Sequence, residues 1–342
     1  MKILMHTIAA AALLVGASAQ AQSAWQDSPE VKALHEAAKK EGAVVLWGTS
    51  AREIDWIPKA FAAAFPGVEV QTLADNNITT KAIAEARAGR NAVDVMVTSL
   101  SLVKALDERS LLKAMDWSKF AVPKGYTAYD NRMAFTHNMA YAIAYNKDKV
   151  KPQDVPQSWA DLLDPKYKGK MVANQFLLPR MVGVLGLAWG EEKTVKFATD
   201  LRANADIMLT NAPRESFLQS GERLYAVAEV DSFPKLWARD GVPVAMVIPE
   251  PVVTAQFGVV VMDKAPHPAA AQLLAGWMAS PDGKRERERA VFQVDYLPTS
   301  TDPVAKRIYA SGAKVILDTP ELLAERDALM RKIAPIVSGQ TR

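Results

Sequence analysis

The sequence predicts an α/β fold in two layered units. Three observations predict it. From Ser28 onward, short β-rich runs alternate with amphipathic stretches of helical period, the pattern of helices laid on a sheet. Three strand-to-helix junctions follow one another in the first hundred residues, after "AVVLW" (43–47), "VEVQTL" (68–73) and "AVDVMVTS" (92–99). A stretch rich in proline and turn formers, "KPQDVPQSWADLLDPKYKGKM" (151–171), then separates these from a second α/β series. With 342 residues, 49% of them hydrophobic and 23% charged, the chain is large enough for two cores.

The elements follow in order. "SPEVKALHEAAKKEG" (28–42) reads as a helix with Ser28 as cap, Pro29 at its first position and Gly42 as its stop. "REIDWIPKAFAAAF" (52–65) reads as one helix ended by Pro66-Gly67, "ITTKAIAEARAGR" (78–90) as the next, and "SLVKALDERSLL" (101–112) as a third. "MAYAIAYNKDKV" (139–150) is a strand leaving the first unit, and "SWADLLD" (158–164) an amphipathic helix with solvated carboxylates. Beyond the turn-rich stretch come a strand at "KMVANQ" (170–175), helices at 179–189 and 191–205, and further segments of strand or helix length up to "VPVAMVIP" (242–249). "AQFGVVVM" (255–262) is a strand returning to the first unit, and residues 267–290 a helix packed back on it. The alternating charges of Lys284 to Arg289 read as a solvated helix face. Thr319 and Pro320 cap and open a final helix through Val337.

At the amino terminus, Lys2, an apolar run from Ile8 to Val15 and the ending Ala19-Gln20-Ala21 predict a secretory signal peptide over residues 1–21, and hence a periplasmic protein. The apolar run is too short for a permanent membrane span. The absence of cysteine excludes disulfides, thiolate catalysis and Cys-ligated metal. A formal charge of +3, or +2 without Lys2, gives no nucleic-acid footprint and leaves an anionic small ligand open.

The segments "EGAVVLWGTS", "AGRNAVDVMVTS", "YAIAYNKDKV", "PQSWADLLDPKYKGKMVANQ" and "QFGVVVMDKAPHPAAAQLLAGWMASPDGK" resemble the type II periplasmic solute-binding proteins of ABC importers, the group related to the ferric-iron, thiamine and phosphonate binders. The resemblance covers most of the chain after the signal, and "SWADLLDPKYKGK" is its most specific part. It implies two α/β lobes joined by two crossing strands, a ligand cleft between the lobes, and hinge closure. The expected division is 22–145 for the first part of lobe 1, 146–254 for lobe 2, and 255–342 for a return to lobe 1 with the C-terminal helices. The implied partners are a small-molecule ligand and an inner-membrane permease, with the protein a monomer that needs no cofactor.

In an open α/β sheet, loops at the carboxyl ends of strands line the binding crevice. That nominates Thr49, Ser50, Thr98 and Ser99, whose hydroxyls either meet a ligand or cap helices, as does Ser101. The resemblance adds Asn174, Gln175 and Arg180 from "ANQFLLPR", and Arg214 from "NAPRES", where a guanidinium either pairs with a ligand carboxylate or phosphonate or serves Glu215 or Asp206. Asp231, Ser232 and Phe233 end a further strand and complete the set; Trp47 and Phe176 are candidate aromatic walls or core residues.

The ferric binders carry adjacent tyrosines at about the position of Asp231-Ser232, and this chain lacks the pair. His35, His137 and His267 are far apart without ligand spacing, so free iron is disfavoured, although Tyr141, Tyr145 and Tyr225 remain as separate phenolates. The nucleophile-elbow, zinc-protease, P-loop and dinucleotide motifs are missing, which disfavours an enzyme. A small organic anion is the expected ligand, with a ferric chelate or a periplasmic hydrolase on the same fold as alternatives.

Overall fold

The computed structural model describes residues 24–298 and 300–339. The expected signal peptide lies outside the described residues. In chain order the elements are α1 (Pro29–Glu41), β1 (Ala43–Gly48), α2 (Ala51–Ile54), α3 (Ile57–Ala64), β2 (Glu69–Ala74), α4 (Ile78–Arg87), β3 (Val95–Ser99), α5 (Leu100–Asp107), β4 (Thr127–Ala128) and β5 (Met133–Asn146). They continue as β6 (Met171–Asn174), α6 (Leu177–Trp189), α7 (Glu191–Asn204), β7 (Met208–Thr210), α8 (Arg214–Ser220), β8 (Tyr225–Val230), α9 (Ser232–Arg239), β9 (Val244–Val247) and β10 (Val252–Val261). The last are α10 (Pro268–Ala279), α11 (Pro281–Val291), α12 (Pro303–Ala310), β11 (Val315–Ile316) and α13 (Leu323–Ser338).

The alternation of strands and helices is the expected mixed α/β fold. Ser28 caps α1 by accepting from the Val31 N–H at 3.3 Å, and Gly42 stops it at φ 78°. Ser28→Ala is expected to cost about 1 kcal/mol of stability, read as a lower urea midpoint at unchanged m.

Proline breaks two of the expected helices. The run 52–65 divides at Asp55-Trp56 because Pro58 has no N–H for the Ile54 carbonyl. The run 267–290 divides at Ser280, whose extended backbone precedes Pro281 and whose hydroxyl takes the Trp277 carbonyl at 2.7 Å. "SWADLLD" is not an α-helix either: Pro165 limits it to short 3₁₀ turns at 160–163 and 165–167. Thr319 makes no side-chain cap bond, and a 3₁₀ turn at 320–322 precedes α13.

The first compact unit comprises, among the described residues, 24–98 with 102–136 and 258–290. Its sheet runs β2-β1-β3-β10, with β1 parallel to both β2 and β3. Leu46, Ile54, Ile57, Phe61, Trp277 and Met278 are buried in its core, which closes over the sheet with α3 and α10.

The second unit comprises, among the described residues, 99–101, 137–257, 291–298 and 300–339. Its sheet runs β5-β8-β6-β7, with β6 parallel to β7 and β8 and β5 antiparallel to β8. Its core contains Tyr141, Trp159, Tyr167, Met181, Leu185 and Ile333. The chain passes between the units within β5 and β10, at 136/137 and 257/258 rather than at the expected 145/146 and 254/255. Residues from 291 onward also belong to the second unit, not the first as expected. Helix α13 lies close on α6 because Gly183 and Gly186 leave room: a Cβ at Gly183 would stand 2.3 Å from Met330 Sδ.

Candidate functional site

In the first unit, register brings strand ends together. Gly48 of β1 stands opposite Ala74 of β2 and Val97 of β3, so the segments that begin at Thr49 and Asp75 leave the sheet side by side, while β3 continues through Thr98 to Ser99. Gly48 is required there, since a Cβ would lie 2.4 Å from Ile54 Cγ2 where α2 folds back over the strand end. Thr49 is half-buried and donates its hydroxyl to Glu53 Oε2 at 2.7 Å. Ser50 is exposed and makes no side-chain cap bond, so helix capping does not account for it. Thr98 is fully buried, and its Oγ1 has no hydrogen-bond partner. Trp47 is buried, with the Lys81 ammonium 5.0 Å from its ring, and offers no open aromatic wall.

In the second unit, Arg180 heads a short polar chain. Its Nη2 donates to Ser101 Oγ at 3.3 Å, and that oxygen lies 3.1 Å from Ser99 Oγ. Arg180 is half-buried on α6, and no carboxylate of the described residues lies within ion-pairing distance of it. Asn174 shapes the approach: its Oδ1 accepts from the N–H groups of Phe176 and Leu177 at 2.8 and 3.1 Å and so caps α6. Gln175 and Phe176 stand in solvent between Asn174 and the helix, Phe176 at 65% exposure as the exposed large hydrophobic among the described residues.

Of the other nominated residues of this unit, Arg214, Asp231 and Phe233 are tied into the fold. Arg214 is buried and holds Glu229 with both prongs, Nε to Oε1 at 2.7 Å and Nη2 to Oε2 at 3.0 Å, while Nη1 donates to the Ala212 carbonyl. The carboxylate that it holds within the fold is therefore that of Glu229, fifteen residues away, rather than that of its neighbour Glu215 or of Asp206. Asp231 accepts from Tyr296 Oη at 2.7 Å, Lys235 Nζ at 2.8 Å and the Ala140 N–H at 3.3 Å, at 1% exposure. Burial, reinforced by the charge of Asp231, raises the Tyr296 hydroxyl far above its ordinary pKa, so it stays a donor. Ser232 is buried with an unpartnered Oγ. Phe233 stacks on Trp237 with ring centroids 6.4 Å apart.

Two of the candidate tyrosines, Tyr141 and Tyr225, are unsuited to ionisation. Burial pushes Tyr225 up to about 12, and its hydroxyl donates to the Asp154 carbonyl at 2.9 Å; burial raises Tyr141 as well. The histidines are dispersed: His35 meets the Pro66 carbonyl, His267 meets Asp94 at 2.8 Å, and His137 stacks on Phe257. Among the described residues no group of three or more His, Asp or Glu side chains is placed to hold a metal ion.

Sequence reasoning missed Glu53 and Tyr296. The S-x-x-E spacing from Ser50 to Glu53 signals a capping box, but the carboxyl binds Thr49 instead. Nothing local links Tyr296 to Asp231. The charge run 284–289 also holds an exception, Arg287, which is turned inward at 1% exposure and donates to the Thr136 carbonyl at 3.1 Å.

A family model of bacterial extracellular solute-binding proteins matches residues 56–311. Among solved structures, the chain is similar to iron-bound HitA from Pseudomonas aeruginosa, with a TM-score of 0.72 and 18% identity over 86% of this chain and 99% of that one. It is similar to the substrate-binding protein of an ABC transporter from Agrobacterium tumefaciens, with a TM-score of 0.71 and 15% identity over 88% and 97%. It is also similar to AfuA from Actinobacillus pleuropneumoniae with fructose-6-phosphate bound, with a TM-score of 0.69 and 19% identity over 87% and 99%. No curated protein matches the sequence. These likenesses establish the type II periplasmic binding-protein fold.

Proposed function

Because the chain belongs to the family of bacterial extracellular solute-binding proteins, we propose that it is the periplasmic component of an ABC importer, exported by its signal peptide and acting as a monomer. Its ligand is a small organic anion with a carboxylate or phosphonate group. Arg180 carries this reading: a half-buried guanidinium bonded to the Ser101 hydroxyl, which in turn meets Ser99, with no carboxylate of the described residues paired to it. Such a group keeps its charge and donates in a planar fork that fits carboxylate and phosphonate oxygens.

The hydroxyl of Ser232 in the second unit supports the same reading, and that of Thr98 offers the first unit a polar group of its own. A buried hydroxyl without a partner costs about 1–3 kcal/mol, which a ligand oxygen would offset. Phe176 offers a ring face to the apolar part of the solute. The first unit offers its own polar groups to an anion at Thr49 and Ser50, and in the second unit Asn174 acts by fixing the start of α6.

The test is a thermal-shift panel on protein unfolded and refolded to remove carried solute, using carboxylates, phosphonates, fructose-6-phosphate, amino acids, polyamines and ferric chelates. A ligand at a hundred times its Kd adds about 2.7 kcal/mol, a shift of several degrees. Organic anions are expected to give the shift, and Arg180→Ala to weaken their binding by about tenfold or more. A response confined to ferric chelates, with visible absorption, would replace the organic-anion reading by iron transport. Turnover of the bound compound would instead favour a hydrolase.

A further inference from the structure

Glu53 is a buried acidic side chain that the reading above leaves without a role. It stands on α2 at 5% exposure, four residues after Thr49, and its carboxyl is asymmetric. Oε2 accepts the Thr49 hydroxyl at 2.7 Å, whereas Oε1 is buried without a hydrogen-bond partner.

A hydroxyl has one proton to give. An ionised Glu53 only accepts, so it claims that proton and leaves the Thr49 oxygen presenting lone pairs outward. A protonated Glu53 donates to the Thr49 oxygen instead and frees the threonine proton for an incoming acceptor. The geometry points to Glu53 as a positioning residue that sets whether Thr49 offers a donor or an acceptor, so that anion capture at this loop is favoured when Glu53 is protonated. This inference rests on the reading of Thr49 as part of an anion site.

The surroundings place the exchange within the ordinary pH range. Burial pushes the Glu53 carboxyl up to about 7, against the opposing influence of the Thr49 hydroxyl, the Arg287 guanidinium and the Thr49 backbone. Arg287 approaches from α11, donates to the Thr136 carbonyl and lies 5.6 Å over the Trp56 ring. The Trp56 indole bonds the Glu53 backbone carbonyl and carries no charge. Arg287 remains cationic at any relevant pH, so the titrating member of the group is Glu53.

The test has a part that needs no ligand. With glutamate side chains labelled with carbon-13, the Glu53 carboxyl resonance is followed against pH in the wild type, Thr49→Val, Thr49→Ser and Glu53→Gln, the last assigning the signal by its loss. The expected midpoint lies near 7, moves up by about half a unit or more in Thr49→Val, which lacks the donor that favours the carboxylate, and returns in Thr49→Ser. A midpoint below about 5, or one indifferent to Thr49→Val, overturns the coupling.

Sulfate, whose charge does not change between pH 5.5 and 8.5, then probes the consequence by thermal shift. Wild-type affinity is expected to fall by about tenfold across that range. Glu53→Gln is expected to bind equally at both ends, because its amide donates to Thr49 throughout. Identical pH profiles for the two proteins would overturn the role in anion capture. Sulfate that stabilises neither protein at either pH would overturn the anion reading of the loop itself, with the carboxyl titration still deciding the coupling of Glu53 to Thr49.

Discussion

Replacing Arg214 by alanine is expected to lower the unfolding free energy by about 3–5 kcal/mol, because it leaves Glu229 buried without its counter-ion. Glu229 is fully buried on β8, between β5 and β6, and both of its oxygens are bonded by Arg214. Water cannot replace that fork without opening the sheet. Arg214→Lys keeps the charge but not the two parallel bonds, and is expected to recover only part of the loss. Arg214→Met combined with Glu229→Leu removes both charges and is expected to restore most of the stability. Urea unfolding followed by circular dichroism checks the series through its midpoints. A ligand-binding arginine would behave differently: Arg214→Ala would then weaken solute affinity and leave the apo-protein midpoint in place.

The contrast between Arg214 and Arg180 shows what a sequence can and cannot disclose about such a site. Both arginines sit near strand-to-helix junctions, and the local pattern treats them alike. Burial and a partner fifteen residues away commit Arg214 to the fold, and neither is visible in a window of ten residues. The strands were legible because burial imposes a pattern of its own: β1, β3, β6, β8 and β10 are near-continuous apolar runs, as parallel and central strands must be. The ends of β1 and β3 were legible for a related reason, since hydroxyls close both apolar runs, although Thr98 and Ser99 are the last residues of β3 rather than a loop.

Breaks and long-range closures were not legible. Pro58 and Pro281 interrupt helices whose apolar spacing continues across them, so periodicity alone joined what backbone chemistry divides. Asp231 reads as a polar strand end, and only the return of the chain brings Tyr296 to its carboxylate, 65 residues later. The membership of α13 in the second unit depends on Gly183 and Gly186, small residues whose meaning appears only with the helix that lies on them.

Arg326→Ala is expected to cost about as much as Arg214→Ala at neutral pH, roughly 3–5 kcal/mol, but with a pH dependence that exposes a different balance of forces. Arg326 Nη1 lies 2.7 Å from both oxygens of Asp318, and both side chains are buried. Even so, the Asp318 pKa is raised above the ordinary carboxylate value, because burial outweighs the attraction of Arg326 and the weaker pull of Arg180. A raised carboxylate contributes stability that is fully present below its unfolded pKa and is lost as pH rises through the folded one. Ionised Asp318 is therefore a net cost that Arg326 only partly offsets, and without Arg326 the cost is borne in full. The penalty of Arg326→Ala is expected to shrink as pH falls and Asp318 takes up its proton. Asp318→Asn keeps an acceptor for Arg326 and for the Gln256 backbone N–H and leaves Asp327 as the counter-ion of Arg326, and is expected to cost less than Arg326→Ala at pH 7. Denaturation at pH 7 and pH 4.5 decides the matter. Equal losses for Arg326→Ala at both values, with Asp318→Asn as damaging as Arg326→Ala, would mean that charge attraction dominates burial. The consequence reaches the proposed site through Arg180, which already acts on Asp318. An unpartnered Asp318 competes for that guanidinium, so Arg326→Ala is expected to weaken anion binding at pH 7 as well as stability, whereas Asp318→Asn leaves Arg180 free of the competition.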